Sequence, residues 1–499
     1  MAKPWKLAAT AAQPRVQPAL RAVNWYPWIA MGVVLIGSYM VILDSTIVNV
    51  ALPQIGVSLH QSSGVEWIVT AYLLAVGVSQ PATGWLADRL GRKRIFTTSL
   101  AAFGAGSLLA AASPNLSVLI GCRVLQGLGG GAMMPVGMTM IYELFPPDRR
   151  GMALGTWGIA STAAPAVGPV LGGYIVTVAS WRWLFVINGP IGVIGVIAAV
   201  RLLKDFGFRE QRRFDAVGFG LIGAGLVALL LVFSEAATWG WTSPRSLVLL
   251  AAGSGLLAAF IWHGLHRADP LIALRMFQTG TFSITIVIVC LLTLIQFGRL
   301  VFIPLELETM RGMSALEVGI ILTPSALGAA LTMPLGGRLA DRIGARTPVV
   351  LGTAIVGVVA WLLAHLTPTS SVGYLAGIVA LQGLGNGLAI MPNSVAGLNS
   401  LPGRYVAQAS AVRSLMRQVA GALGVGILAT LVAARIGSVS ASVQSPGSLS
   451  SAQAAYNLVF MVGFGATALA FCLAFLLPGR RAMKAMQAER AAELVDVEA

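Results

Sequence analysis

A hydrophobic run of about twenty residues recurs along nearly the whole chain, and this constrains the fold more than any other feature. An α-helix rises 1.5 Å per residue, so about twenty apolar residues cross roughly 30 Å of hydrocarbon. Fourteen such runs are read at about 28–51, 65–87, 95–113, 117–139, 152–177, 183–203, 216–236, 245–264, 281–305, 315–337, 347–366, 372–393, 406–432 and 455–477. The chain of 499 residues is 57% hydrophobic and 10% charged, with a mean hydropathy of +0.82. A soluble domain carries about 25% charged residues. These values predict an all-α polytopic membrane protein with fourteen transmembrane helices. A membrane barrel would instead show short alternating segments.

The formal net charge of +15 does not point to nucleic acid, because the basic residues sit in short loops between apolar runs. One set of alternate loops holds "GRKR", "PPDRRG", "RLLKDFGFREQRRFD", "HRADPLIALR", "GGRLADRIGAR" and "PGR", and with both tails carries 25 of the 33 basic residues. The opposite loops hold Arg182, Arg245, Arg311 and Arg435. Basic loops stay cytoplasmic, so both termini are expected inside a cytoplasmic (inner) membrane. Residues 1–24 lack an apolar core and read as a tail rather than a signal peptide. None of the five lysines lies in a GxxxxGK[ST] loop, so no nucleotide is expected. Cys122, Cys290 and Cys472 are scattered through apolar runs, and the four histidines form no cluster. No metal or cofactor is expected.

Two pairs of motifs repeat in the same order. "GWLADRLGRKR" starts at Gly84 and "GRLADRIGAR" at Gly337; "LQGLGGGAMMP" starts at Leu125 and "LQGLGNGLAIMP" at Leu381. Offsets of 253 and 256 residues indicate a duplicated bundle, a design in which substrate binds between the halves. They exceed six spans by enough to insert two more. The expected organisation is a tail at 1–24, a six-helix bundle at 25–205, two inserted helices at 206–275, a second six-helix bundle at 276–478 and a cytoplasmic tail at 479–499. The inserted pair reads as peripheral.

Asp44, Arg123, Arg299, Arg413 and Arg417 lie well inside spans. Charges at membrane depth are expensive and mark functional sites. Burial disfavours an ionised carboxylate and a nearby cation favours it, so Asp44 beside an arginine can take and release a proton. Arg123 lies at a similar depth on the fourth span, with Gln126 on its face at i+3. In the motif Gly84–Arg94, Asp88 can pair with helix ends or neighbouring basic loops. Arg89, Arg92, Lys93 and Arg94 anchor the same side, and Gly91 belongs to the same motif. Asp341 and Arg342 repeat this pattern. A cluster that breaks and reforms there is a credible latch. Gly168 and Pro169 are expected to loosen the fifth span, while Gly172 and Gly173 allow close approach. Arg299, Arg413 and Arg417, with Asn49, Gln382 and Asn386, are candidates to line a substrate cavity. Glu306 and Glu308 fall near its outer mouth.

Together these motifs resemble the major facilitator superfamily, and within it the fourteen-span drug:proton antiporters of the QacA/EmrB type. "LDSTIVNVALP" is similar to the first-span signature of that branch, and "GWLADRLGRKR" to its loop motif. "RVLQGLGGGAMMP" is similar to its fourth-span motif, "APAVGPVLGG" to its antiporter motif, and "WRWLFVINGPIG" also fits. The resemblance covers about residues 25–480. It implies a major facilitator fold, a role for Arg123 in proton coupling and for Asp88 in conformational control. The second half departs from the pattern, since Val379 stands where the arginine would repeat.

The expected function is proton-coupled efflux of amphipathic small molecules by alternating access, with small-molecule substrate, protons and the lipid bilayer as partners and a monomer as the working unit. Export of an endogenous lipid, siderophore or metabolite by the same fold is the alternative, and a non-transporting sensor a remote one. No enzymatic nucleophile–base pair appears.

Overall fold

The computed structural model describes residues 25–61, 63–205, 213–367, 369–436 and 446–482. The tail expected at 1–24 and most of that at 479–499 lie outside the described residues. Among the described residues the regular structure is helical throughout. Hydrocarbon offers a backbone no hydrogen-bond partners, and a helix satisfies its own.

In chain order the helices are α1 (Tyr26–Ser58), α2 (Trp67–Leu90), α3 (Arg92–Ala111), α4 (Leu116–Leu144), α5 (Arg150–Val178), α6 (Trp183–Val186) and α7 (Asn188–Leu202). Next come α8 (Ala216–Trp239) and α9 (Pro244–His266). The rest are α10 (Gly280–Arg311), α11 (Ala315–Ile343), α12 (Arg346–Ala364), α13 (Val372–Asn399), α14 (Val406–Ile436) and α15 (Pro446–Ala474). Polar residues mark several starts. Asn115 accepts from the Val118 N–H at 2.9 Å, and Ser314 with Glu317 forms a capping box on α11.

Twelve helical segments among the described residues combine the length and apolarity needed to cross a membrane, one of them running through α6 and α7. α2 and α5 are of similar length, at 24 and 29 residues, but are not among the twelve. The expected count of fourteen spans rests on these two helices.

Two groups of helices form the body. In the first, α4 packs on α2 and α3, α1 on α5 and α7, and α3 on α7. In the second, α13 packs on α11 and α12, α10 on α14 and α15, and α12 on α15. The repeated glycine motif explains the matching pairs. A Cβ at Gly127 would lie 2.6 Å from the Tyr72 carbonyl oxygen of α2, and one at Gly383 would overlap the Ser325 carbonyl of α11. Gly131 and Gly387 repeat the arrangement one turn on, against Val76 and Met333. Small residues let helices approach closely where lipid supplies no hydrophobic drive.

The groups meet through α5 against α11 and α2 against α14. α9 packs mainly on α8. α8 differs: it packs along both α2 and α14, with Leu230 against Gly77 and the Phe233 backbone against Gly426. Its mixed apolar surface gives no sequence signal for that placement.

Candidate functional site

Asp44 and Arg123, 79 residues apart, form a buried ion pair through Oδ2 and Nη1. Gln126 Nε2 donates to Asp44 Oδ1 at 2.9 Å, and Asn188 Nδ2 donates to the same oxygen at 3.1 Å. The Asp44 carboxylate thus accepts from three side chains on two other helices. Arg123 is equally engaged. Its Nη1 donates to Gln126 Oε1 at 2.7 Å, its Nε donates to the Ile68 carbonyl at 3.1 Å, and its guanidinium lies 4.1 Å from the Tyr72 ring centroid. Exposure is 0% for Asp44, 1% for Arg123, 0% for Gln126 and 1% for Asn188. Charge-assisted bonds of this kind are the strong ones, and the low dielectric makes any unmet partner costly.

Backbone periodicity places these groups. Arg123 and Gln126 share a face of α4 at i, i+3. Asn188 begins α7, just after the helix is interrupted at Ile187. It also donates to Ser107 Oγ at 3.1 Å, and Ser107 in turn donates to the Phe185 carbonyl at 2.9 Å. Sequence reading missed Asn188. It lies in the quoted "WRWLFVINGPIG", where it is the one side-chain amide. Asn49 does not join the cluster: it is exposed and bonds Ser45 of its own helix.

The 168–173 stretch of α5 packs beside this cluster. A Cβ at Gly168 would overlap the Thr46 hydroxyl, and one at Gly172 would lie 3.0 Å from the Ile47 carbonyl. Gly168 and Gly172 therefore hold α5 against α1 immediately beyond Asp44. Gly173 meets nothing within 4 Å. The side chain of Pro169 lies outside the described residues, and α5 is continuously helical across its position.

The loop motif lies at the end that carries the basic loops. Gly91 has φ +92° and its repeat Gly344 φ +90°, a turn that favours glycine. Arg92, 1% exposed, bridges Asp88 at 3.4 Å and Glu143 at 2.7 Å. Lys93 donates to the Val200 carbonyl at 2.7 Å, and Arg89 lies over Trp85 at 5.5 Å. Arg94 and Arg342 are exposed. Asp341 accepts from the Gly151 and Met152 N–H groups at 2.9 and 3.0 Å. It caps the first turn of α5 from the opposite half, where a carboxylate is favoured by the helix dipole.

Other contacts close the same end. Tyr142 Oη donates to Asn399 Oδ1 at 2.6 Å. Gly151 and Gly337 cross so closely that a Cβ on either would overlap the other's carbonyl. A Cβ at Gly84 would lie 3.0 Å from the Gln408 Cα. Nearer mid-membrane, Gln418 accepts from Gln80 at 3.4 Å.

The remaining candidates lie in the second half. Arg413 is 4% exposed and reaches the Ile390 carbonyl at 3.5 Å. Arg417, one turn on, is half-buried, and Asn386 is buried on α13. Arg299 and Gln382 line a separate internal cavity among α10, α12, α13, α14 and α15. Glu306 is buried and bonded by Gln453 at 3.1 Å.

The chain is a repeated helical bundle with a buried ion pair inside one half and hydrogen bonds and close glycine crossings between the halves. Its family follows from comparison: the Major Facilitator Superfamily model matches residues 34–425 and 282–495, and the chain belongs to that superfamily. It is a transporter rather than an enzyme. It is 32% identical to a putative multidrug resistance protein MdtD of Serratia proteamaculans, over 82% of this chain and 85% of that one. It is 32% identical to the tetracenomycin C resistance and export protein of Streptomyces glaucescens, over 83% and 77%. Among solved structures it resembles the human organic anion transporter MFSD10, with TM-score 0.61, 16% identity and coverage of 90% and 99%. It also resembles a bacterial homologue of the lysosomal transporter Spinster, with TM-score 0.57, 16% identity and coverage of 91% and 97%. These two likenesses concern the fold.

Proposed function

We propose that the chain exports amphipathic small molecules in exchange for protons, by alternating access, as a monomer in the cytoplasmic membrane. Both termini lie inside, and α2 and α5 complete fourteen spans. The halves are the bundles at 25–205 and 276–478, with 206–275 inserted. The end closed by Asp341, Tyr142 and Asn399 is then cytoplasmic, and the state described is outward-facing.

The observation that carries this reading is the buried cluster around Asp44. Three side-chain donors suit an ionised carboxylate, since a protonated one would itself have to donate. A proton arriving from the outer side neutralises Asp44 and loosens Arg123, Gln126 and Asn188. α1 and α5 then lose the restraint that their close packing transmits, and the halves rock inward. There the cytoplasm takes the proton, and substrate binds the deprotonated form. Asp88 and Asp341 work the latch, and Arg413 and Arg417 face substrate. The named relatives include drug exporters, which supports the substrate class.

The test is transport into inside-out proteoliposomes with an imposed pH gradient. Lipophilic drug should accumulate only while the lumen is acidic, and a protonophore should release it. Accumulation that ignores the gradient would contradict proton coupling.

A further inference from the structure

We propose that the C-terminal helices hold a small monovalent anion of halide type between Arg299 and Gln382. Arg299 Nη1 and Gln382 Nε2 are both buried, and neither has a hydrogen-bond partner among the described residues. Gln382 is 1% exposed. The two side chains line one narrow internal cavity, completed by apolar groups including Leu363, Leu428, Phe460 and Gly463. It has room for about one water-sized group.

The chain repeat gives this cavity a meaning. Gln382 occupies the repeat position of Gln126, on α13 for α4, and α10 repeats α1. In the first half the donors converge on an acceptor, Asp44. In the second half Val379 replaces the arginine, and α10 contributes Arg299 in the region where α1 carries its acid. The framework is kept while the acceptor has become a donor. The acid on the same helix, Glu306, lies about two turns away and is bonded by Gln453. Turning the Gln382 amide over would supply one neutral acceptor against five guanidinium donors.

A cation at membrane depth with no counter-charge among the described residues is strongly unfavourable, which points to a balancing charge from outside the chain. Size selects it. A cavity this small excludes sulfate, phosphate and the body of an amphipathic substrate, and among common anions a halide comes nearest to its size. Its apolar remainder suits a weakly hydrated, spherical ion. The inference does not depend on whether Asp44 carries protons.

The test uses purified full-length protein in detergent and sodium gluconate, titrated with chloride or bromide at constant ionic strength. Wild type should show a saturable rise in Tm with either halide. Arg299→Met and Gln382→Leu should lose that rise. A crystal grown in bromide should give an anomalous peak between the two side chains, which serves where Arg299→Met does not fold. No saturable halide effect in wild type, an equal effect in Gln382→Leu, or a rise only with amphipathic carboxylates would overturn the proposal. The last result would place Arg299 in the substrate site instead.

Discussion

Asn188 separates what an expensive residue announces from what an inexpensive one conceals. Asp44 and Arg123 were legible because a charge at membrane depth needs a reason, and Gln126 followed from helical spacing. An amide inside an apolar run carries no comparable penalty, so Asn188 passed unnoticed. Only the fold brings it 3.1 Å from Asp44. Asn49 shows the converse: it is near Asp44 in sequence, but five residues along a helix turn it to another face. A hydrogen bond to a charged group contributes about 1.5–3 kcal/mol. Asn188→Leu should therefore lower Tm and impair gradient-driven transport, whereas Asn49→Leu should do neither. Normal transport in the Asn188 variant would remove that residue from the site.

At the scale of elements, the crossing of α5 and α11 is the contact most easily perturbed. A Cβ at Gly337 would overlap the Gly151 carbonyl, so Gly337→Val should push the closed end apart. Spin labels at Asp148 and Arg346, both exposed at that end, should report a longer distance than in wild type. An unchanged distance would show that the crossing does not hold the latch. The repeat made this contact partly readable, because both loop motifs stood out; that Asp341 caps α5 did not. The placement of α8 was not readable at all, since its apolar surface is the same toward lipid as toward α2 and α14. Its ends are tied where sequence gave little sign. Asp215 accepts from the Gly218 and Leu271 N–H groups at 3.0 and 3.1 Å and pairs with His263 at 2.9 Å and Arg267 at 3.5 Å. Ala273 donates to Gln408 at 3.0 Å, joining the insert to α14. Burial pushes the Asp215 carboxyl up, but these hydrogen bonds and Arg267 outweigh it and hold the group below the usual carboxylate range. A lowered value stabilises the fold above the unfolded carboxyl value of about 3.9, and that stability is lost as pH falls through the folded value. Asp215→Asn should lower Tm near neutrality, with the gap to wild type closing on acidification. A gap independent of pH would contradict the assignment.

For the whole molecule, the second half repeats the packing of the first but not its chemistry. The glycine motifs place α4 on α2 and α13 on α11 alike, while Asp44 and Arg123 have no counterparts in kind. On the proposed reading, proton handling falls to one half and charge balance to the other, and the Asp341 and Tyr142 hydrogen bonds join the two. The account turns on whether Asp44 exchanges its proton for substrate. The most direct measurement is substrate-induced proton release from purified protein in lightly buffered detergent near neutral pH. Wild type should release protons when drug is added, and folded Asp44→Asn should release none. Equal release from both proteins would move the proton site elsewhere and leave Asp44 a structural residue.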